Sequence, residues 1–493
     1  MSAVWWSALA LSAALLAAPV AAESLQPKAL ASRQNEAVTT ATRLIAAVNG
    51  DAEARRTFAS DFFASTALAA EPASARAAFL DQLAADSGGL VLQRVKPEGE
   101  RMAEVTVATR KGTRFARIVL FTSRREPGRI TNLFVLPARD PAKLAKEAWP
   151  THPIRLEKLA AELGWRLDSL AADDAFSGVV LVGVGDRVLF RRAYGLAEQA
   201  WKQPNRVDTA FQAGSVTKML TAAAILKLVE QGTISLDDSL AKWVPDYPHA
   251  TAAGQIRIRH LLSHTAGLGP WEGRLVRAAT TGELVRTMME PPKSEPGAAF
   301  AYSNAGYVLL GAVLERATQE EFETALKRLV LDPVGMKRTA AWPVTAIVPN
   351  RATGYLRPES DPLAVRPRYA NHQYLGYKGD GSGGVYTTAD DLWAFHRALV
   401  GGRLLGPEAT RLMLTAATDF PGAPRPSKYG LGVRLSECAG QPTFGHSGGG
   451  ANSGVSNATF GALSGDWTVV VLSNYDPDGE QVAQDICDAL ARR

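Results

Sequence analysis

The chain has 493 residues but only two cysteines, Cys438 and Cys487, and no CxxC pair. That scarcity excludes a cysteine-rich zinc site and a multi-disulfide scaffold. Histidine is nearly as sparse, with seven copies, and the last of them is His446. Neither charge sign is in large excess: 54 basic against 49 acidic residues leave a net charge of +5. A surplus that small, with basic pairs such as Arg124–Arg125 and Arg191–Arg192 scattered among acids, is no nucleic-acid footprint, so no nucleic-acid partner is expected. No G-K-[ST] triplet occurs, which removes a Walker-type phosphate loop. What remains is ordinary globular material, 46% hydrophobic and 21% charged, so wholesale disorder and fibrous repeats are excluded too.

Long apolar runs are also missing, with one exception. Residues 3–22 (AVWWSALALSAALLAAPVAA) carry no charge, and Val20-Ala21-Ala22 offers small residues for cleavage after Ala22. We read residues 1–22 as a signal peptide, although its n-region lacks Lys and Arg. A run of this length also suffices for an uncleaved anchor. No cysteine lies at the cleavage point, which excludes a lipid-modified N-terminus. The mature protein is therefore expected to be periplasmic or secreted, without stable membrane insertion after cleavage. In that compartment Cys438 and Cys487 could form one disulfide, and two buried thiols fit equally well.

A prior of roughly 150 residues per domain suggests two to four domains. Residues 23–139 read as a small α+β domain, with amphipathic helices over Asn35–Asn49 and Ser74–Ala85. Alternating strands follow over Leu90–Val95, Met102–Thr109, Thr113–Phe121 and Ile130–Leu136, separated by glycine-containing turns. Residues 140–155, with their prolines and charges, read as a linker. From 156 onward come a helix (Leu156–Ala171), a hairpin (Gly178–Val184, Arg187–Tyr194) and long apolar helices. The chain closes with strands and a helix over Glu480–Leu490. One proline- and arginine-rich stretch, Trp342–Gly381, lacks periodicity, and loops this long are usually functional or disordered.

Three short motifs carry candidate chemistry. Ser215-Val216-Thr217-Lys218 opens an apolar helix, and a three-residue spacing puts the serine and lysine on one face. Burial disfavours the ammonium and lets such a lysine act as a base toward the serine, while free N–H groups at the helix start can meet an oxyanion. Tyr302-Ser303-Asn304 precedes the helix Gly306–Thr318. A tyrosine beside a cation can relay protons near neutral pH, and an asparagine can both donate to and accept from a substrate amide. His446-Ser447-Gly448-Gly449 ends a strand-like run, and its glycines let backbone approach a ligand closely.

Taken together and in this order, the three motifs resemble the set of the serine β-lactamase and penicillin-binding-protein superfamily, on the class C β-lactamase, D-aminopeptidase and esterase branch. Phe211-Gln212-Ala213-Gly214, Arg259–Leu268 and Gly383–Leu392 resemble that branch as well, and the likeness runs from about residue 156 to the C-terminus. It implies an α/β (α+β) serine β-lactamase-like fold, an antiparallel sheet flanked by helices plus an all-helical subdomain, over residues 156–493. It also implies that Ser215 is the acylated nucleophile, Lys218 its base partner and Tyr302 the base for acylation and deacylation. Asn304 belongs to the Tyr302 motif, and the N–H groups of Ser215 and Gly449 would form the oxyanion hole. Ser447 and Gly448 would line the substrate site. His446 stands where lactam-recognising members carry lysine; a mostly neutral ring there suits esters better than carboxylate-bearing lactams.

Three decoys fall away. Gly445-His446-Ser447-Gly448-Gly449 fits the G-x-S-x-G elbow, but no histidine follows His446 to serve as its base. Gly379-x-Gly381-x-x-Gly384 follows no hydrophobic strand, so the dinucleotide fingerprint is discarded. His260 and His264 have zinc-like spacing but lack the glutamate of H-E-x-x-H. Thr388 reads as a helix cap. Within the long loop, Trp271 aside, Tyr374 is a candidate for the acyl pocket; Trp271 is another, and one of Arg351, Arg357, Arg366 or Arg368 could bind a carboxylate. The expectation is an exported serine hydrolase that needs no metal or cofactor and acts on a small ester, or on an amide or peptide. Esterase comes first, D-amino-acid peptide or peptidoglycan-fragment cleavage second and lactam hydrolysis third. A silent binding protein on the same scaffold would have no need of Ser215, Lys218 and Tyr302 together, and all three are present.

Overall fold

A computed structural model describes residues 36–492, apart from 99–100, 113, 147, 150–151, 270, 272–277, 358–362, 364–366, 422–424, 450–452 and 477. The expected signal segment lies outside the described residues. Contacts divide the described residues into two units, one within 36–148 and 357–369, the other within 149–356 and 370–492.

In the smaller unit, helix Glu36–Asn49 repeats apolar residues at helical spacing, and Ala37, Ala41, Leu44 and Val48 are all buried. They pack on a four-stranded antiparallel meander, Leu90–Glu98, Met102–Thr109, Phe115–Thr122 and Ile130–Ala138. The two middle strands alternate strictly, with Val105, Val107, Ile118 and Leu120 turned inward. Two short helices, Ala52–Asp61 and Ser65–Ala70, were not expected from the sequence, and helix Pro141–Lys146 lies inside the segment read as a linker. The Trp342–Gly381 stretch also holds a surprise. Its middle part belongs to this unit, where Leu363 is 2% exposed in the core and its carbonyl accepts from Arg114.

The larger unit is built on an eight-stranded antiparallel sheet. Its strand order is Thr418–Asp419, Lys428–Tyr429, Arg434–Cys438, Gln441–Gly449, Ser456–Ala462, Trp467–Ser473, Gly178–Val184, Arg187–Tyr194. The hairpin that opens this unit thus pairs with its last strand, Val180 opposite Val471. Strands Gly178–Val184 and Trp467–Ser473 are mostly apolar and buried along almost their whole length because both faces are covered. Val179, Leu181, Val470 and Leu472 enter one core, which we call the front. Val180, Val182, Val469 and Val471 enter the other, the back. Helix Leu156–Ala172 brings Leu159, Leu163 and Leu167 to the back core, beside helix Gly479–Ala491. Cys438 and Cys487 are joined there, with Cα atoms 5.6 Å apart, which decides the alternative left open by the sequence. The front core holds helices Thr217–Glu230, Asn304–Thr318 and Ala389–Val400, the last capped by the Thr388 side chain. This is the mixed α/β β-lactamase-like fold that the resemblance implied.

Candidate active site

Ser215 sits in a tight 3-10 turn, Gly214–Val216, immediately before helix Thr217–Glu230. The turn lies against the end of strand Gln441–Gly449, so closely that a side chain on Gly448 would come within 2.1 Å of the Ala213 carbonyl. Gly214 has φ +55° and no room for a β-carbon, which would fall 2.5 Å from the Gly449 nitrogen. These glycines are therefore what lets the third motif dock on the first.

The helix behind the serine is buried on nearly every side, and Lys218 is 0% exposed. Its ammonium donates to Ser215 Oγ (3.1 Å), to Asn304 Oδ1 (2.8 Å) and to the Ser382 carbonyl (2.7 Å). A buried cation needs such partners to offset its desolvation. Asn304 opens helix Asn304–Thr318, two residues earlier than the sequence pattern suggested, and Ser303 caps it by accepting from the Gly306 N–H. Here Asn304 meets the lysine, where the sequence reading gave it only a substrate amide. The Tyr302 ring stands 4.9 Å from Lys218 Nζ and is 38% exposed, so one side faces the ammonium and part of it faces solvent.

His446 lies in the same cluster, 6% exposed, with both ring nitrogens engaged. Nδ1 is 2.6 Å from the Ser447 carbonyl, which can only accept, so Nδ1 carries the proton and Nε2 accepts from Tyr429 Oη at 2.9 Å. Burial, and secondarily the nearby Lys218 ammonium, push its basicity down to about 3. The ring is neutral at physiological pH. The elbow reading of this segment also fails structurally, since His446 and Ser447 sit inside a strand, paired with Thr459 and Ala458 of the next one, and no helix follows Ser447 directly.

Other candidates lie further out. Trp271 is half-buried against the front core and donates its indole N–H to Thr287. Tyr374 is 42% exposed on the turn His372–Tyr374, whose His372 borders a cavity also lined by Leu375, Gln212 and Tyr386. Arg351 donates to the carbonyls of Pro343 and Val344, so it is not held ready for a substrate carboxylate. His264 lies beyond helix Ile258–Leu262 with φ +57°, which breaks its helical spacing from His260. The sequence reading missed Ser382, Tyr429 and Tyr307. Ser382 contributes a backbone carbonyl, for which no side-chain signal exists.

Fold and cluster define a class: a serine, a buried lysine and a tyrosine gathered at one point of a β-lactamase-like scaffold. The model of the beta-lactamase family matches residues 166–491. The chain belongs to that family. It is 30% identical over 250 residues to penicillin-binding protein 4* of Bacillus subtilis, a match covering 47% of this chain and 54% of that protein. It is 32% identical over 274 residues to esterase EstB of Burkholderia gladioli, covering 47% of this chain and 69% of that one. Among solved structures it resembles a D-stereospecific amidohydrolase from Streptomyces, with a TM-score of 0.54 and 26% identity over 68% of this chain and 96% of that one. The chain spans only about half the length of the first of these relatives.

Proposed function

We propose that this protein is an exported carboxylic esterase that forms an acyl-enzyme on Ser215. The observation that carries the esterase reading is His446, a buried neutral ring in the place of a lysine that would greet a substrate carboxylate. In the proposed reaction Lys218 orients Ser215 Oγ and favours the Tyr302 phenolate. Tyr302 takes the serine proton as Oγ bonds to the ester carbonyl carbon, and the oxyanion rests on the N–H groups of Ser215 and Gly449. The C–O bond to the alcohol then breaks, and Tyr302 returns the proton to the departing alkoxide. Water repeats the sequence: Tyr302 accepts its proton, hydroxide adds to the acyl carbon, and Ser215 leaves with the proton restored.

The relatives named as penicillin-binding protein and D-stereospecific amidohydrolase support a second reading, cleavage of D-amino-acid amides at the same serine. Intact-mass analysis and steady-state rates with a neutral aryl ester, a D-phenylalanine amide and a penicillin separate the readings. We expect kcat/KM for the ester to exceed that for the amide by about 100-fold, and Ser215→Ala to lose about 10⁴-fold or more on the ester. Preference for the amide would overturn the esterase reading. Absence of any acyl adduct with all three donors would overturn catalysis at Ser215. Export is tested by cleavage after Ala22, read from the N-terminal sequence of the secreted protein.

A further inference from the structure

His264 has no part in the reaction as written, yet its geometry is unusual. It is 2% exposed and adopts φ +57°, a backbone region that side-chain-bearing residues seldom occupy. The bend turns two acceptors of one residue toward a single stretch of chain. The His264 carbonyl accepts from the Ala301 N–H at 2.7 Å, and its Nδ1 accepts from the Ser303 N–H at 3.1 Å. Those two donors flank Tyr302. The imidazole ring itself lies 4.3 Å from the Tyr302 ring, centroid to centroid, with the planes tilted by 32°. One residue thus holds Tyr302 from before, from behind and across its face.

The protonation state fits this role. A ring that accepts at Nδ1 and is neutral carries its proton on Nε2. That Nε2–H finds no hydrogen-bond partner among the described residues, inside a box closed by Tyr302, Tyr307 (5.0 Å) and Tyr429 (4.9 Å). Burial and the Lys218 ammonium both disfavour a second proton, so the ring does not switch its charge near neutral pH. A phenylalanine would fill the box without an orphan donor, but it would leave the Ser303 N–H unpaired. Retaining the imidazole makes physical sense if the acceptor at Nδ1 matters.

We propose that His264 is a positioning residue that fixes the backbone and ring of Tyr302, and so the placement of its phenol beside Lys218. The proposal rests on the reading of Tyr302 as the proton relay, and the test is built to separate the two. Three variants are compared on a neutral aryl ester, with kcat, KM, the pH profile and the melting temperature measured for each. His264→Phe keeps a ring and loses the acceptor. His264→Asn keeps an acceptor, tolerates positive φ and loses the ring. Tyr302→Phe removes the relay itself.

We expect His264→Phe to lose about 100-fold in kcat with KM within about threefold, and the half-maximal pH of kcat/KM to move by at least about half a unit. His264→Asn should stay within about tenfold of wild type. Wild-type kcat in His264→Phe, with Tyr302→Phe inactive, overturns positioning and leaves the relay standing. Wild-type kcat in Tyr302→Phe overturns the relay. If His264→Phe does not fold, a folded His264→Asn as inactive as Tyr302→Phe overturns the backbone clamp. Equal kcat losses in both His264 variants that only follow melting temperature, with no shift in the pH profile, make the residue merely structural and also overturn the proposal.

Discussion

Front and back of the eight-stranded sheet are cut from the same strands, yet they are different materials. At the back, valines alternating along strands Gly178–Val184 and Trp467–Ser473 meet leucines repeating along helix Leu156–Ala172, and a disulfide ties strand Arg434–Cys438 to the C-terminal helix. That core is mostly apolar, with Gln484 and Asp488 of the C-terminal helix buried beside the cystine. At the front the same strands supply the same kind of residue, but the covering helices begin with polar ones: Ser215 and Lys218 in one case, Ser303 and Asn304 in the other. Three histidines with suppressed basicity, His264, His396 and His446, are buried on that side. Helix starts bring unpaired N–H groups and short polar side chains together, so a face covered by helix starts can do chemistry that a face covered by helix flanks cannot. The back holds the sheet in shape; the front spends part of its stability on a buried polar cluster.

The sharpest way to break this division is at the disulfide. A closed loop with a sequence separation of 49 should contribute about 4 kcal/mol by restricting the unfolded chain. Replacing both cysteines by alanine should therefore lower stability by roughly that amount in denaturant titration, while kcat/KM for an aryl ester stays within about twofold. A loss of rate at a temperature where the variant is fully folded would show that the back face reaches the chemistry.

Acid should unsettle the front. His396 and His446 are each held down to about 3, against an ordinary value near 6.5 in the unfolded chain. Below pH 6.5 the unfolded state takes up protons that the folded state refuses, so this contribution is present above pH 6.5 and fades as pH falls. Each such histidine costs about 2 kcal/mol between neutral pH and pH 5. His396, which bonds Thr459 and lies outside the serine cluster, is the residue to change. His396→Gln should reduce the drop in unfolding free energy between pH 7 and pH 5 by about that amount. An unchanged drop would mean that His396 is not neutral in the fold.

Much of this architecture was legible in the sequence, for reasons that differ by region. The hairpin Gly178–Val184 and Arg187–Tyr194 was read correctly because a glycine turn separates two strand-like runs. Helix Leu156–Ala172 announced itself through leucines at four-residue spacing. Short helices such as Ala52–Asp61, with low mean hydropathy, offered no apolar stripe to read. The excursion of Leu363 into the smaller unit's core was invisible because a single leucine in a proline-rich loop has no period. At the site, the three motifs marked which side chains to gather. They said nothing about a backbone carbonyl at Ser382, and they left His264 looking like half of a zinc motif. Its backbone angle, which places both of its acceptors around Tyr302, is a property of the folded chain alone.

The finest test of the front face is His446→Lys. A lysine here would put a second ammonium near Lys218, the group that already disfavours a proton on His446, in a site that is 6% exposed. It would also remove the acceptor of the Tyr429 hydroxyl. Both effects cost stability, and ester turnover should fall somewhat. A substrate carboxylate, however, would supply the missing counter-charge, and a charge-assisted bond recovers part of the desolvation. The ratio of penicillin acylation to aryl-ester hydrolysis should therefore rise about tenfold, even as both absolute rates decline. A ratio that does not move would mean that position 446 is too deeply enclosed to meet substrate. In that case its neutral ring supports Tyr429 and the strand without selecting the acyl donor.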